Sequence, residues 1–247
     1  MRRRVAAIGL GLVFAALSAG AVAARDDGGR TAAKAAKRAP IRFEQQDLFI
    51  EYNATAGDAG LQVNVDAENW KRFQLFDPRG RRLMDFTTRG RLRPIGLSEL
   101  FVEASEPPFT TLPFSEFKRR FPEGVYRFRG IAGNGRRLAG ADRLSHLIPA
   151  PPTVRFPVKG ARVDPGGFSV RWQRVTSPPG VRIVTYQVIV IQGKRELSMY
   201  VPPDVTRVRI PGAFLEPGRK LEGEVLAREA SGNQTIAEMP SFRTRGR

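Results

Sequence analysis

Between Leu215 and Ala227 the chain runs Leu-Glu-Pro-Gly-Arg-Lys-Leu-Glu-Gly-Glu-Val-Leu-Ala, and no other stretch restricts the fold as much. Pro217 fixes φ for a turn and Gly218 can take φ > 0, so the two make a tight corner. Beyond it, Leu221, Val225 and Ala227, with Gly223 between them, fall on one face of a strand with a period of two. A corner that feeds a half-buried strand of this kind belongs to antiparallel β structure.

The pattern continues on both sides of the corner. Phe168-Ser-Val-Arg-Trp172 reads as an early strand with an inward Trp, and Tyr186-Gln-Val-Ile-Val190 as a central strand with an inward Tyr. Val225-Leu-Ala227 leads to a Ser231-Gly232-Asn233 hairpin and a last strand closing on Pro240-Ser-Phe-Arg-Thr244. Taken together, these residues resemble a fibronectin type III domain over about the last hundred residues. The resemblance implies an immunoglobulin-like β-sandwich with Trp172, Tyr186, Val188 and Val225 in its core. The family's corner tyrosine is replaced here by Leu221, so its hydrogen bond to the backbone must be absent or supplied elsewhere. Because such sandwiches serve many unrelated roles, the resemblance implies binding or spacing and no particular ligand.

The start of the chain carries Met1-Arg-Arg-Arg4, then nineteen uncharged residues, Val5 to Ala23, ending in Ala21-Val-Ala23. A charged region, an apolar region and an A-x-A cleavage pattern make residues 1–23 a signal peptide, which implies export to a periplasm or the exterior. An uncleaved anchor is the competing use of so long a run, but Gly9, Gly11, Ser18, Gly20 and the alanines make it a weak span. No later apolar run reaches spanning length, so no transmembrane helix is expected once the signal is removed. The chain has no cysteine, which excludes disulfides, thiol catalysis and thiolate metal sites. Residues 24–40 are small, charged and without large apolar side chains, as expected of a flexible basic linker. Losing Arg2, Arg3 and Arg4 with the signal lowers the net charge from +17 to +14. Such an excess favours acidic polysaccharide, a phospholipid surface or an acidic protein. Nucleic acid is not expected, given the export signal and the lack of an aromatic-basic recognition module.

Residues 41–147 form a second β unit that matches no recognised family pattern. Leu48, Ile50 and Tyr52 alternate, as do Leu61, Val63 and Val65. Trp70 to Phe76 ends at the turn Asp77-Pro-Arg-Gly80, which leads into Arg82–Phe86. Glu99–Val102 and Gly124–Ile131 read as further strands, and Gly133-Asn-Gly135 as a hairpin turn. The one helical stretch is Ser115–Phe121, with Ser115 as a cap and Phe117 and Phe121 on one face. Residues 148–152, Ile-Pro-Ala-Pro-Pro, form a semi-rigid linker. Residues 153–247 are the fibronectin type III-like unit. The expected fold class is therefore all-β, with two β-sandwich-like domains in tandem and one short helix in the first.

Four features of the sequence could carry chemistry. His146, the only histidine, has no nucleophile motif near it, and the adjacent Ser145 points to the opposite face of a strand. Between Glu44 and Glu68 there are six carboxylates and no cation. Glu51, Asn53, Asp58 and Asp66 have the oxygen chemistry that calcium, the one cofactor suggested, requires. Glu103 and Glu106 form a carboxylate pair of the type glycosidases use, in a chain rich enough in acids for such pairs to occur by chance. Lys71 to Arg93 is the basic counterpart, where Arg72, Arg79, Arg81, Arg82, Arg89, Arg91 and Arg93 offer an anion-binding strip with only Asp77 and Asp85 opposing. These features point to a non-catalytic binding or scaffolding protein of the cell envelope or exterior, engaging an anionic polymer or protein. A carbohydrate-active enzyme, or a calcium-assisted glycan-binding accessory, is the alternative.

Overall fold

In the computed structural model, the described residues are 39–246, so the signal peptide and all of the basic linker except Ala39 and Pro40 lie outside them. The first strand, β1 (Gln45–Asn53), turns through Asn53, whose side-chain oxygen accepts the N–H groups of Thr55 and Ala56. The turn delivers β2 (Asp58–Phe76), which is nineteen residues long. The apolar runs Leu61–Val65 and Trp70–Phe76 belong to this single strand. Asn69, at φ 44, and the register breaks around Trp70 bend it between them. Its first part pairs with β1 and with β4 (Leu97–Glu103), and its second part with β3 (Arg82–Thr87) and β5 (Gly124–Ala132). β6 (Arg137–Leu144) pairs with β5 and is bridged through Leu138 to Ile41, the residue leading into β1.

One bent strand thus pairs with four others, and both of its parts contribute to the first core. Leu48, Ile50, Trp70, Phe73, Tyr126 and Phe128 are its large members. The Trp70 indole N–H donates to Ser98 O at 3.1 Å, satisfying the one polar atom that this burial would strand. The helix α1 (Phe114–Arg120) starts one residue earlier than expected, and its cap is Pro113 and not Ser115; no side chain caps it. Phe117 is buried and its ring lies 4.9 Å from that of Phe121, so the aromatic face docks as the spacing implies.

The C-terminal half is a two-layer sandwich. β7 (Val154–Phe156), β9 (Gly167–Trp172) and β12 (Arg207–Pro211) form one sheet. β10 (Ile183–Gln192), β11 (Arg195–Val201), β13 (Lys220–Glu229) and β14 (Gln234–Glu238) form the other. The short β8 (Arg162–Val163) and β15 (Phe242–Thr244) close one end, and the expected last strand is divided between β14 and β15. Trp172 and Tyr186 meet edge to face, 5.4 Å apart, in the second core with Val188, Leu221 and Val225. At the corner, Gln192 grips Glu216 twice, accepting its N–H at 2.8 Å and donating to its carbonyl at 3.2 Å. Thr244 Oγ1 donates to the same carbonyl at 2.6 Å. The bond a corner tyrosine would make is therefore replaced by two other side chains, and Leu221 contributes burial alone.

The two halves are joined by a strand pairing. β14 lies parallel to β1, with Glu51 opposite Gln234, Tyr52 opposite Thr235 and Asn53 opposite Ile236, so one sheet runs through both. The proline segment is packed along this junction: Pro149 O accepts the Thr235 hydroxyl at 2.6 Å and Ala150 N–H donates to Ser177 O at 2.9 Å.

Candidate functional site

The basic run occupies the end of β2, the 77–80 turn, β3 and the connection from β3 to β4. At the turn, Asp77 is buried and accepts from the N–H groups of Arg79 and Arg81 and from the Arg81 side chain, at 2.7 to 2.9 Å. Burial alone would raise its pKa, but the Arg81 bonds outweigh that and hold it below the usual carboxylate range. Arg72 forks onto Asp85 at 2.6 and 2.9 Å, and Arg82 reaches the same carboxylate at 3.0 Å. The hydrogen bond from Arg72, then that from Gln74, keeps Asp85 ionised far below its ordinary pKa. Lys71 donates to Gly133 O at 2.7 Å.

Half of the strip is therefore occupied internally. Arg79, Arg89, Arg91 and Arg93 make no ion pair among the described residues. Arg91 lies in, and Arg89 and Arg93 flank, a short 3-10 turn, Gly90–Leu92, between β3 and β4, and all three are exposed. Gly90, at φ +52, begins that turn. Lys71, Arg72, Thr88, Arg89 and Arg93 line a cavity of about 400 Å³ at its base. Phe86, Leu92 and Ile95 are exposed beside it, Ile95 at 69%. A second concentration of charge lies on the other half, where Arg171 stands directly opposite Arg207 across β9 and β12.

The acidic residues are distributed differently from the order in which they occur. Asn53 is committed to its turn and donates to Glu238 at 3.3 Å, while Asp66 stands opposite Gln45 and Glu99, so neither joins Glu51 in one shell. Of the expected calcium set of Glu51, Asn53, Asp58 and Asp66, only Asp58 acts on Glu51 through its charge. Glu51 instead converges with Glu103 and Glu106, their oxygens all within 4.8 Å of one another. Glu103 and Glu106 thus join a third carboxylate instead of facing each other as an isolated pair. Burial, then the charges of Glu103 and Asp58, push Glu51 up to about 7 against the hydrogen bond it receives from Gln234. On the same sheet face Glu224 is pushed up to about 8, first by burial and then by Glu51, Glu238, Glu196 and Glu106.

His146 has a structural role. Its backbone N–H donates to Glu123 at 2.7 Å and its ring Nε2 lies 2.8 Å from Phe121 O. Ser145 Oγ accepts the Leu147 N–H.

No family model matches the chain, and no curated protein does either. Among solved structures, the FN1–FN3 domains of chicken CNTN1 overlay at 11% identity and a TM-score of 0.31, over 83% of this chain and 65% of that one. A two-domain segment of chicken tenascin overlays at 11% identity and a TM-score of 0.29, over 80% of this chain and 98% of that one. Both are fibronectin type III proteins.

Proposed function

We propose that the protein is an exported, non-catalytic binding or scaffolding module that engages an anionic polymer or an acidic protein surface through its β3–β4 connection. The observation that carries this is the division within the basic strip. Arg72, Arg81 and Arg82 spend their charge on Asp85 and Asp77, whereas Arg89, Arg91 and Arg93 are displayed together on one turn. Arginine's planar fork suits carboxylate, sulfate and phosphate, and three of them at alternate positions about one turn present a site instead of diffuse charge. The exposed Phe86, Leu92 and Ile95 add apolar contact at the same place.

The test is retention of the protein on a sulfated polysaccharide matrix and sedimentation with anionic vesicles, each at low and at physiological salt. Salt-sensitive binding to at least one supports the proposal, since exposed charges are screened within about 8 Å at physiological ionic strength. Indifference to both supports removes it. Retention by the matrix alone identifies a polymer, and sedimentation with vesicles alone identifies a lipid surface.

A further inference from the structure

The convergence of Glu51, Glu103 and Glu106 follows from strand register. Glu51 on β1 stands opposite Gly60 on β2, and Gln62, two residues further along, stands opposite Glu103 on β4. Gly60 has no side chain to fill the position between them, and Glu106 folds over it: a Cβ there would lie 2.6 Å from Glu106 Oε1. Gln62 is on the same face, flanked by β1 and β4, and is only 2% exposed. Its Oε1 has no hydrogen-bond donor. An acceptor buried without a donor is costly, and three carboxylates beside it offer only more acceptors. A cation held among the three carboxylates would offset their mutual repulsion and give the Gln62 oxygen, on the same face, the partner it lacks.

We propose that Glu51, Glu103, Glu106 and the amide oxygen of Gln62 bind a calcium ion. The donor set is entirely oxygen, which suits a hard cation and not zinc, whose structural sites draw on nitrogen and sulfur. Calcium accepts irregular shells of six to eight oxygens, and three carboxylates, each able to give two, plus an amide approach that number. Magnesium demands a stricter octahedron, which three strands and the segment after β4 are poorly placed to supply. Gln234 donates to one oxygen of Glu51 and so fixes the orientation of that ligand from behind. The site is separate from the arginine turn and does not depend on what that turn binds.

The test is calorimetric titration of the chelator-treated protein with calcium chloride alone, with magnesium chloride in parallel, alongside thermal melts. Saturable binding of one calcium ion, a higher melting temperature and weaker binding of magnesium are expected. Glu103 is exposed, so E103Q should fold normally, and it should weaken calcium binding by about tenfold or more, since even outer-shell changes cost 10- to 100-fold. Q62M should also bind more weakly, yet melt higher than the parent in chelator because the unpartnered acceptor is gone. D66N, outside the cluster, should bind as the parent does. Absence of heat and of any melting shift at millimolar calcium, or unchanged affinity in E103Q, would overturn the proposal.

Discussion

The side-chain oxygen of Asn233 accepts the backbone N–H of Ile50 at 2.8 Å, joining residues 183 positions apart. The same amide donates to Ser145 O at 2.9 Å and Leu147 O at 3.1 Å, so one fully buried side chain ties β1, the end of β6 and the start of β14. Both N–H donors and one lone pair of the oxygen of that amide are used inside the protein. The junction of the two halves therefore rests on a polar residue in a hairpin as well as on the pairing of β1 with β14.

Asn233→Ala should accordingly be expensive for a turn residue. Three bonds are lost and a backbone N–H and two carbonyls are left buried, which at about 1 kcal/mol per bond plus partial desolvation gives about 3 to 4 kcal/mol. Urea unfolding of the two proteins measures it. A loss under about 0.5 kcal/mol, the range of an ordinary surface change, would show that the tie is not structural.

Trp172→Ala should cost about 3 to 5 kcal/mol, as a large-to-small change in a packed core. Its ring is 4% exposed and packs edge to face on Tyr186, whose hydroxyl accepts the Val175 N–H at 2.7 Å. An unchanged melting temperature would place Trp172 outside the core.

Glu224 sets a pH dependence. Its folded pKa, about 8, is above the ordinary 4.5, so the native state holds this proton more tightly than the unfolded chain does. The stabilisation is fully present below pH 4.5 and is lost as the pH rises towards 8. The charges around it come from Glu51 on β1, Glu238 on β14, Glu196 on β11 and Glu106 beyond β4, and all act in the same direction. Melts in chelator should fall between pH 5 and 8.5, and Glu224→Gln should flatten that slope. A parental melting temperature that rises over the same interval would contradict the assignment.

Much of the β architecture is legible in the chain because it rests on local alternation. Leu48 and Ile50, Leu61 to Val65 and the corner at Pro217-Gly218 all announce strands through their own neighbours. The parts that are not legible depend on register between distant strands. Nothing near Glu51 signals that Gln234 will lie beside it, because a parallel pairing leaves no hairpin turn between the partners. The same applies to Glu103, which reaches Glu51 only through the pairings of β1 and β4 with β2. Asn53 and Asp66 lie closer in sequence to Glu51 and share its oxygen chemistry, yet a turn claims the first and the second lies further along β2. Asp66 to Asn69 looks like a break between two strands, and is a bend within one. Within the basic run, sequence gives the number of arginines but not which ones Asp77 and Asp85 neutralise.

That division is the central claim, and the affinity of the protein for a soluble sulfated polysaccharide across a range of salt concentrations tests it most directly. Three proteins are compared: the parent, the triple variant Arg89→Gln, Arg91→Gln, Arg93→Gln, and the triple variant Arg171→Gln, Arg207→Gln, Arg209→Gln. Both variants lose the same formal charge, so attraction by the overall positive surface would weaken them equally. If the β3–β4 turn is the site, the first variant binds several-fold more weakly with a shallower salt dependence, and the second stays close to the parent. Equal weakening of the two variants, or binding that ignores salt, would contradict it.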